Sequence, residues 1–351
     1  MKSLLNKLYL SSQLEPQELL ALLDHMTPEL KTELLDLASK KRQEFYGKGV
    51  YLRGLIEFTN YCKCQCQYCG INATNTKAQR YRLTESEILE CCDMGYRLGY
   101  RTFVLQGGED PYFTDQRLCG IVTQIKHQYP QCAITLSVGE RSYDSYKALY
   151  EAGADRYLLR HETASRKLYE SLHPSMSFDR RRQCLYDLKA IGYQVGAGFM
   201  VGLPHQTHED LVEDLLFLKD LSPHMVGLGP FIPHEDTALK DFPSGSLEMT
   251  TTLLALVRLL LPQVLLPATT ALGSLHPKGR ELGLKAGGNV VMPNLSPISV
   301  REKYALYNGK ICTGDEAAEC RQCIQKRIES AGFSLDLSRG DNINWRRSNV
   351  Y

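Results

Sequence analysis

Short apolar runs rich in β-branched residues alternate with amphipathic stretches through most of this 351-residue chain. The runs predict strands, and the stretches between them predict helices. Eight strands are predicted, at residues 50–58, 102–106, 133–137, 156–160, 194–200, 225–229, 264–267 and 289–292. Strands joined by helices form right-handed crossovers in a parallel sheet. Eight such units therefore favour an α/β fold of the complete (β/α)8 TIM-barrel type over an open doubly wound sheet.

Two further regions flank the predicted barrel. The first is expected to be helical, because Pro16 and Pro28 stand at first-turn positions of helix-like segments. The last has a short helical pattern and contains cysteines. We therefore divide the chain into an N-terminal helical extension (1–47), a barrel (48–296) and a C-terminal cap (297–351).

Three cysteines follow the first predicted strand at C-x3-C-x2-C spacing, namely Cys62, Cys66 and Cys69. Such closely spaced thiolates can converge on one soft metal centre. A structural zinc site needs a fourth ligand, and no matching cysteine or histidine pair lies nearby. A 4Fe–4S cluster held by three cysteines leaves one iron open for a small molecule. Cys64 also fits a C-x-C-x2-C pattern, but we interpret it as a bystander.

A second cysteine triplet lies in the predicted cap at C-x7-C-x2-C spacing, formed by Cys312, Cys320 and Cys323. It suggests a second iron–sulfur cluster, of the 2Fe–2S or 4Fe–4S type, with a structural thiol group as the alternative. The six remaining cysteines are scattered and are expected to be small buried hydrophobic residues: Cys64, Cys91, Cys92, Cys119, Cys132 and Cys184.

Polar groups follow two more predicted strands, at the edge where a barrel carries its chemistry. Gly107 and Gly108 precede Glu109, and two glycines let the backbone approach a ligand closely. Arg160 and Glu162 can bind the carboxylate and the ammonium or ribose of a zwitterionic ligand through charge-assisted hydrogen bonds. The alternative for this pair is an ion pair at the rim of the barrel.

With Tyr68 immediately before Cys69, the cysteine loop resembles that of the radical S-adenosylmethionine (SAM) superfamily. The resemblance implies that residues 107–109 hold the amino group of SAM as a GGE motif. It also implies that the glycine-rich strand ending at Met200 contacts SAM. Arg181, within a run of three arginines, would meet the SAM carboxylate, although such a run is often only a solvated charge cluster.

Five segments make the resemblance more specific, at residues 105–111, 152–163, 200–204, 229–234 and 267–271. They are similar to the FeFe-hydrogenase maturases of the HydE type, and the similarity extends from about Tyr51 to Cys323. It includes the cap triplet, which some members use for an accessory cluster. Two departures are Gly107, where some members carry serine, and Cys64 between the cluster ligands.

The resemblance implies a radical SAM enzyme that assembles the di-iron subsite of the hydrogenase H-cluster. It would cleave SAM reductively to a 5′-deoxyadenosyl radical that acts on an iron–carbonyl–cyanide–cysteine precursor. The implied partners are a ferredoxin-like or flavodoxin-like electron donor and other hydrogenase maturation proteins. The implied substrate cavity is lined by Gln106, Thr135, Ser137, Met225, Thr269, Thr270, Met292, Tyr304 and Tyr307.

Two other interpretations stay open. A radical SAM mutase or sulfur-inserting enzyme, of the methylornithine synthase or biotin synthase type, shares the barrel and the first triplet. In a non-enzymatic metal-binding or scaffold protein, the cysteines would serve only to hold loops together. The GGE segment beside the cysteine loop disfavours the scaffold.

Charge and hydropathy exclude several classes of partner. The formal net charge is +1, which gives no electrostatic reason to bind nucleic acid or an anionic membrane. The longest apolar stretch, 253–267, is short and is interrupted by Arg258 and Pro262, so we expect no membrane span. The first residues contain no apolar signal core, and we expect a cytoplasmic protein.

Overall fold

The computed structural model describes residues 1–314 and 321–347, except the side chain of Arg321. The chain begins with three helices, α1 (Lys2–Ser11), α2 (Pro16–Asp24) and α3 (Pro28–Tyr46). As predicted, a proline occupies the first position of α2 and of α3, where a missing N–H costs no hydrogen bond. The Thr27 hydroxyl caps α3 by accepting the Leu30 N–H at 3.2 Å.

The strands are short and most of their residues are buried. They are β1 (Gly49–Leu52), β2 (Gly54–Thr59), β3 (Thr102–Gly107), β4 (Ala133–Ser137), β5 (Arg156–Leu158), β6 (Gln194–Ala197), β7 (Met200–Val201), β8 (Met225–Val226), β9 (Gly229–Pro230), β10 (Val290–Val291) and β11 (Ser334–Asp336). Six of them form one parallel sheet in the order β2-β3-β4-β5-β6-β8.

Helices connect these strands, as right-handed crossovers between parallel strands require. The remaining helices are α4 (Glu85–Arg97), α5 (Asp115–Gln128), α6 (Tyr143–Glu151), α7 (Arg166–Leu172), α8 (Phe178–Ile191), α9 (His208–Leu221), α10 (Leu247–Leu260), α11 (Thr270–Leu275), α12 (Gly279–Lys285), α13 (Ile298–Arg301) and α14 (Arg321–Ser330). The carboxyl ends of the six strands consequently lie at one edge of the sheet, which is where the cysteine loop leaves β2.

Three predicted strands are divided in the structure, so the predictions of single strands at 50–58, 194–200 and 225–229 were wrong. The first breaks at Arg53, whose buried guanidinium reaches Met225 Sδ at 2.7 Å. The other two break where Gly198 and Gly227 meet, since a Cβ on Gly198 would lie 2.0 Å from the Gly227 oxygen. Gly198 has a φ of 155°, which glycine adopts readily. Close backbone contact with Gly227 therefore replaces the regular hydrogen bonding between strands at this point.

The last two predicted strands form only single bridges and one short strand. Leu265 and Pro267 make single parallel bridges, to Met225 and Val290 respectively. Only β10 forms in the region of the eighth predicted strand, and it pairs with β1. A further parallel bridge joins Leu55 of β2 to Asn294.

The C-terminal segment folds back under the amino edge of the sheet, which the sequence did not predict. Strand β11 pairs in parallel with β1. Beyond it, the Asp341 carboxylate accepts hydrogen bonds from Arg156 at 2.6 Å, Gln194 at 2.8 Å and Arg339 at 2.9 Å. This part of the predicted cap therefore closes the end of the sheet opposite the cysteine loop.

No helix in the described ranges has the length and apolar character that a membrane crossing requires. This agrees with the expectation drawn from the interrupted apolar stretch.

We expect Asp341→Asn to lower the free energy of unfolding by about 2–4 kcal/mol at pH 7, because it leaves buried Arg156 without a counter-ion. Burial raises the pKa of Asp341, but Arg156 and Arg339 outweigh it and hold that pKa well below its usual range. The stabilisation is therefore complete above the unfolded-state pKa, near 4, and is lost as the pH falls. Urea unfolding of both proteins should show a gap that narrows below about pH 4. A gap of constant size from pH 7 to pH 3 would contradict this account.

Candidate active site

The loop that carries the first cysteine triplet has no regular structure, and Arg80 supports its backbone. The Arg80 guanidinium donates to the carbonyl oxygens of Asn60, Ile71, Asn72 and Asn75 at distances of 2.6–3.0 Å. Carbonyls buried without a partner are costly, so one guanidinium here replaces the ladder that a strand would provide.

The three predicted cluster ligands are half-buried in this loop. Cys62 Sγ accepts the N–H groups of Cys64 and Glu109, each at 3.4 Å. These bonds, led by one from the Cys64 thiol, lower the pKa of Cys62 to about 7. Burial raises the pKa of Cys66, and raises that of Cys69 to about 12. The hydrogen bonds thus favour a thiolate at Cys62, whereas burial disfavours one at Cys66 and Cys69.

Cys64 lies beneath the loop and its thiol is buried. Its hydrogen bond to Cys62, together with burial, raises the pKa of Cys64. The structure thus gives the intervening cysteine a contact that spacing alone did not predict. Of the other scattered cysteines, Cys119 is half-buried and the rest are buried as expected.

Within residues 1–314 and 321–347, no three His, Cys, Asp or Glu side chains form a group that could hold a single metal ion. A cluster makes a different demand, because each thiolate binds a separate iron atom and the sulfurs stay further apart. Three half-buried thiols on one loop fit that demand.

The two glycines after β3 serve the cysteine loop. A Cβ on Gly108 would lie 2.3 Å from the Tyr61 oxygen and 2.6 Å from Cys62 Cβ. A Cβ on Gly107 would lie 2.7 Å from the Thr59 side chain. Gly107 also borders the cavity described below. We predicted that these glycines let a ligand approach the backbone closely. In the structure they also let the turn after β3 approach the cysteine loop closely.

Glu109 is held at the outer side of this turn. Its carboxylate accepts the Glu140 N–H at 2.8 Å and lies 3.3 Å from Lys63 Nζ. Next to it, Asp110 accepts two hydrogen bonds from Arg82, at 2.7 and 2.9 Å. Glu109 does not line the cavity, so its carboxylate faces Lys63 while its backbone faces Cys62.

Arg160 and Glu162 stand together at the carboxyl end of β5, with Arg160 Nη2 3.3 Å from Glu162 Oε2. That contact is not a hydrogen bond. Arg160 Nε and Nη2 and Glu162 Oε2 are buried without a hydrogen-bond partner among the described residues. Buried charged groups need hydrogen bonds, so these three atoms are available for a ligand that carries both charges.

Glu162 adopts a left-handed conformation with a φ of 68°, which is uncommon for a residue other than glycine. Its N–H donates to the Gly198 oxygen, and its oxygen accepts the Met200 N–H, both at 3.0 Å. The adjacent His161 is buried, with Nε2 3.1 Å from Asp214 Oδ1 and Nδ1 accepting the Gly198 N–H at 3.3 Å. Burial lowers the pKa of His161 and raises that of Asp214. This buried pair, which the sequence did not reveal, holds the strand that positions Glu162.

Arg181 lies in the first turn of α8 and is buried. Its Nε donates to Glu140 at 2.6 Å and its Nη1 donates to the Arg160 oxygen at 2.7 Å. The remaining nitrogen, Nη2, has only the Met176 sulfur at 3.8 Å. Arg181 thus borders the cavity with one nitrogen that has only a weak partner, and it also supports Arg160.

Tyr68 is fixed by a buried histidine. Its hydroxyl lies 3.0 Å from His173 Nε2, and His173 Nδ1 lies 3.0 Å from the Tyr169 oxygen. Because Nδ1 faces a carbonyl, it carries the proton, and Nε2 accepts from the Tyr68 hydroxyl. Burial lowers the pKa of His173 to about 3, so this histidine stays neutral.

These side chains border a cavity of about 300 Å³ at the carboxyl edge of the sheet. Twelve of its lining residues were predicted: Tyr68, Cys69, Gln106, Gly107, Ser137, Arg160, Glu162, Arg181, Met200, Thr269, Tyr304 and Tyr307. The sequence reasoning assigned no ligand role to the others: Gly139, Leu158, Leu159, Gly229, Pro230, Phe231, Ile232, Ala271 and Leu306. Several of these belong to the segments that carried the family resemblance.

Other predicted positions lie outside the lining of this cavity. They are Cys62, Cys66, Gly108, Glu109, Thr135, Met225, Thr270 and Met292. Thr135 Oγ1 is nevertheless buried without a hydrogen-bond partner among the described residues, as is Thr269 Oγ1 at the cavity wall.

The segment 303–310 joins the cavity to the cysteine loop. Its Leu306 oxygen accepts the Gly70 N–H at 2.9 Å, and a Cβ on Gly70 would lie 2.2 Å from the Ala305 oxygen. Lys310 Nζ binds both oxygens of Glu57, at 2.7 and 2.8 Å, and the Tyr304 oxygen at 2.8 Å. Glu57 is buried and Lys310 is half-buried, so this ion pair fixes the segment against β2.

The second cysteine triplet is described only in part. Cys312 is buried, has a φ of 66°, and lies 2.9 Å from Arg280 Nη2. Cys320 lies outside the described residues. Cys323 is on α14 and is disulfide-bonded.

Comparisons with known proteins identify relatives of this arrangement. Residues 56–218 match the model of the Radical SAM superfamily. The FeFe hydrogenase maturase subunit HydE of Thermotoga maritima is 48% identical over 299 residues, covering 85% of this chain and 85% of that protein. The 3-methylornithine synthase of Methanosarcina acetivorans is 31% identical over 323 residues, covering 92% and 90%.

Solved structures show the same α/β fold. The crystal structure of methylornithine synthase matches with a TM-score of 0.81 at 29% identity, covering 95% of this chain and 97% of that one. The crystal structure of HydG, a maturase of the FeFe hydrogenase, matches with a TM-score of 0.82 at 20% identity, covering 95% and 75%. At that identity the second likeness concerns the fold alone.

We expect Lys310→Met to lower the free energy of unfolding by about 3–5 kcal/mol, because it leaves a buried carboxylate uncompensated. Burial raises the pKa of Glu57, and Lys310 and Asn294 oppose that rise. The double variant Glu57→Gln/Lys310→Met removes both charges, so urea unfolding should show that it recovers most of the loss. A double variant as unstable as Lys310→Met would contradict the ion-pair explanation.

Proposed function

The chain belongs to the HydE-type maturases of the radical SAM superfamily, and from its cavity we propose which residues perform that role. It is a radical SAM enzyme of FeFe-hydrogenase maturation, and its cofactors are a 4Fe–4S cluster and SAM. The observation that carries our assignment is that buried atoms of Arg160 and Glu162 lack hydrogen-bond partners among the described residues, at a cavity that Cys69 also borders.

We assign Cys62, Cys66 and Cys69 as the ligands of the 4Fe–4S cluster. A cluster held by these cysteines would supply the electron for reductive cleavage of SAM to methionine and a 5′-deoxyadenosyl radical. The protein contributes positioning and the exclusion of water. Cys62 Sγ accepts the N–H groups of Cys64 and Glu109, and such donors would stabilise a ligating thiolate, which supports its place in this set.

SAM would lie between the cysteine loop and β5. Arg160 Nε and Nη2 are buried donors suited to a carboxylate, and Glu162 Oε2 is a buried acceptor suited to an ammonium or a hydroxyl. Arg181 holds Arg160 in place and has one nitrogen with only a weak partner. The further members of the proposed SAM site are Tyr68, Gly107, Gly108, Glu109 and Met200.

The substrate would occupy the part of the cavity away from the cysteines. We propose an iron–carbonyl–cyanide–cysteine precursor, for which hydroxyl and amide groups supply orientation. Thr269 Oγ1 is buried there and has no hydrogen-bond partner within residues 1–314 and 321–347, and Gln106 Nε2 lies 3.3 Å from the Tyr304 hydroxyl. The full proposed set is Gln106, Thr135, Ser137, Met225, Thr269, Thr270, Met292, Tyr304 and Tyr307.

We further propose that residues 48–296 form a complete eight-stranded barrel, between an N-terminal extension (1–47) and a C-terminal cap (297–351). The bridges made by Leu265, Pro267 and Asn294 support closure between β8 and β2. The partly described triplet Cys312, Cys320 and Cys323 is proposed to hold a second cluster, which requires that the disulfide of Cys323 is first reduced to a thiol. The free thiols of the described residues suit a reducing cytoplasm.

One alternative reaction has a specific observation in its favour. The 3-methylornithine synthase relative covers more of the chain than the HydE relative does, although at 31% rather than 48% identity. A radical SAM mutase of that type would use the same cysteines and a different cavity wall. Formation of 3-methylornithine by the purified protein would favour it over the maturase.

The central experiment is anaerobic reconstitution with iron and sulfide, followed by measurement of 5′-deoxyadenosine formed from SAM with and without the iron–cysteine precursor. We expect release that depends on reductant and rises with the precursor. A parallel gene deletion should abolish hydrogenase activity in a host that makes an FeFe hydrogenase. Unimpaired hydrogenase would overturn the maturase assignment.

We expect Cys62→Ala to abolish SAM cleavage, and Cys64→Ala to keep at least half of it. The two cysteines are neighbours in one loop, but only the first is assigned as a ligand. Iron content and 5′-deoxyadenosine release, measured on both reconstituted variants, check this. Full activity in Cys62→Ala, or loss of activity only in Cys64→Ala, would assign the cluster to the C-x-C-x2-C pattern that includes Cys64.

We expect Arg160→Gln to weaken SAM binding about 10–100-fold, because a hydrogen bond to a charged group contributes about 1.5–3 kcal/mol. Calorimetric titration of the reconstituted protein gives the dissociation constant. Arg97→Gln is the matched control, since Arg97 is an exposed arginine at the end of α4. Equal affinities for the two variants would remove Arg160 from the proposed site.

A further inference from the structure

The carboxyl end of α7 packs against the cysteine loop. The Leu172 oxygen accepts the Gln67 N–H at 2.9 Å. The ring of His173, just after the helix, meets the Tyr68 ring edge to face, with the ring centres 5.4 Å apart. These two loop residues lie between the second and third cysteines of the first triplet. The end of α7 therefore supports the part of the loop that carries two of the three proposed ligands.

Tyr169 belongs to this contact, and the assignments above give it no role. It lies one turn before Leu172, so both residues occupy the same face of α7. Its ring stacks on the His173 ring, with the centres 4.2 Å apart and the planes inclined by 25°. Phe178 packs against it edge to face at 5.6 Å. The Tyr169 side chain is buried between these rings, which fix the orientation of the phenol.

The hydroxyl of Tyr169 is a buried donor without an acceptor. It has no hydrogen-bond partner among the described residues. A phenylalanine would fill the same space, so a hydroxyl at this position costs free energy unless a further group accepts its proton. Burial raises the pKa of Tyr169, so the hydroxyl stays protonated and can act only as a neutral donor or acceptor.

Cys66 is a proposed ligand without a donor. Cys62 Sγ accepts two N–H groups at 3.4 Å, whereas in the part of the chain that the structure describes no group donates a hydrogen bond to Cys66 Sγ. A thiolate that binds iron is stabilised by such donors. The second ligand of the triplet thus needs a donor that the backbone of the loop does not provide.

Tyr169 and Cys66 lie in the same charged surroundings. Beyond the effect of burial, the charges of Arg181 and Glu162 affect the pKa of both groups, and the Cys66 charge itself raises the pKa of Tyr169. The Arg181 guanidinium lies 6.0 Å from the centre of the Tyr169 ring. The two nearby carboxylates already face arginines, since Glu140 accepts from Arg181 at 2.6 Å and Glu162 lies 3.3 Å from Arg160. Cys66 is therefore the anion of this group that still lacks a donor.

We propose that the Tyr169 hydroxyl donates a hydrogen bond to the Cys66 sulfur of the bound 4Fe–4S cluster and thereby raises the reduction potential of the cluster. This rests on the proposed function, because it assumes that Cys66 binds the cluster. The reduced cluster carries one more negative charge, so a donor to a ligating sulfur stabilises the reduced form more than the oxidised form. Tyr169 keeps its proton, and no covalent bond forms or breaks.

The test compares Tyr169→Phe with the matched control Tyr150→Phe. The Tyr150 hydroxyl is likewise buried without a hydrogen-bond partner among the residues that the structure describes, but its ring lies on α6 under Arg347 of the C-terminal segment. Each substitution thus removes one such hydroxyl, and only one of them lies beside the cysteine loop. Redox titration of the reconstituted proteins, followed by electron paramagnetic resonance without SAM, gives the midpoint potentials.

We expect Tyr169→Phe to lower the equilibrium constant for one-electron reduction of the cluster about tenfold, which corresponds to a fall of about 59 mV. Tyr150→Phe should change that constant less than twofold. In urea unfolding of the metal-free proteins, neither variant should unfold at a lower urea concentration than the wild type, because removing a hydroxyl that has no partner leaves no group unpaired.

An unchanged potential in Tyr169→Phe would overturn the proposal, and this is the result expected if an ordered water accepts the hydroxyl proton. An unchanged potential together with SAM binding weakened tenfold, measured by calorimetry, would also overturn it and would assign the hydroxyl to SAM. So would a metal-free Tyr169→Phe protein that is clearly less stable than the wild type, since any shift would then reflect a structural role. A wild-type protein that assembles no 4Fe–4S cluster would overturn the proposed function, and this hydrogen bond with it.

Discussion

The hydrogen bonds from Arg80 to four loop carbonyls are the interaction on which the site depends. Three thiols can face one point only if the loop departs from strand geometry, and that departure leaves backbone carbonyls without partners. Asn60 and Asn72 complete the support, with Asn60 Oδ1 accepting the Tyr81 N–H at 2.8 Å and Asn72 Oδ1 accepting the Thr74 N–H at 2.8 Å. The loop is thus irregular in shape but hydrogen-bonded at many of its backbone groups, which would suit the proposed cluster site.

The features that the sequence predicted well are those fixed by local pattern and by sheet topology. Alternating strands and helices located the carboxyl edge, and the ends of β2, β3 and β5 then brought Cys69, Gly107 and Glu162 to one cavity. Thr84 and Glu87 form the capping box of α4, which is another feature set by a local sequence pattern. Such signals are local because each depends on residues within a few positions of one another.

The features that the sequence did not predict depend on contacts between distant segments. His161 and Asp214 are 53 positions apart, Arg156 and Asp341 are 185 apart, and Glu57 and Lys310 are 253 apart. The sequence spacing of each pair gives no sign that the two residues are in contact. The division of the fifth predicted strand has the same cause, because Gly198 breaks the ladder only where Gly227 meets it. The partner of a buried charged side chain can be identified only from the three-dimensional structure.

The segment 303–310 connects the cysteine loop to the cavity. Its Lys303 oxygen accepts from Asn60 Nδ2 at 2.7 Å, and its Leu306 oxygen accepts from Gly70, so it is bonded to both ends of the cysteine loop. Tyr304 and Tyr307 of the same segment line the cavity. Packed, hydrogen-bonded elements shift together rather than deform independently. We therefore expect a change in the cavity wall here to shift the cysteine loop as well, which would couple the shape of the proposed substrate site to the geometry of the proposed cluster ligands.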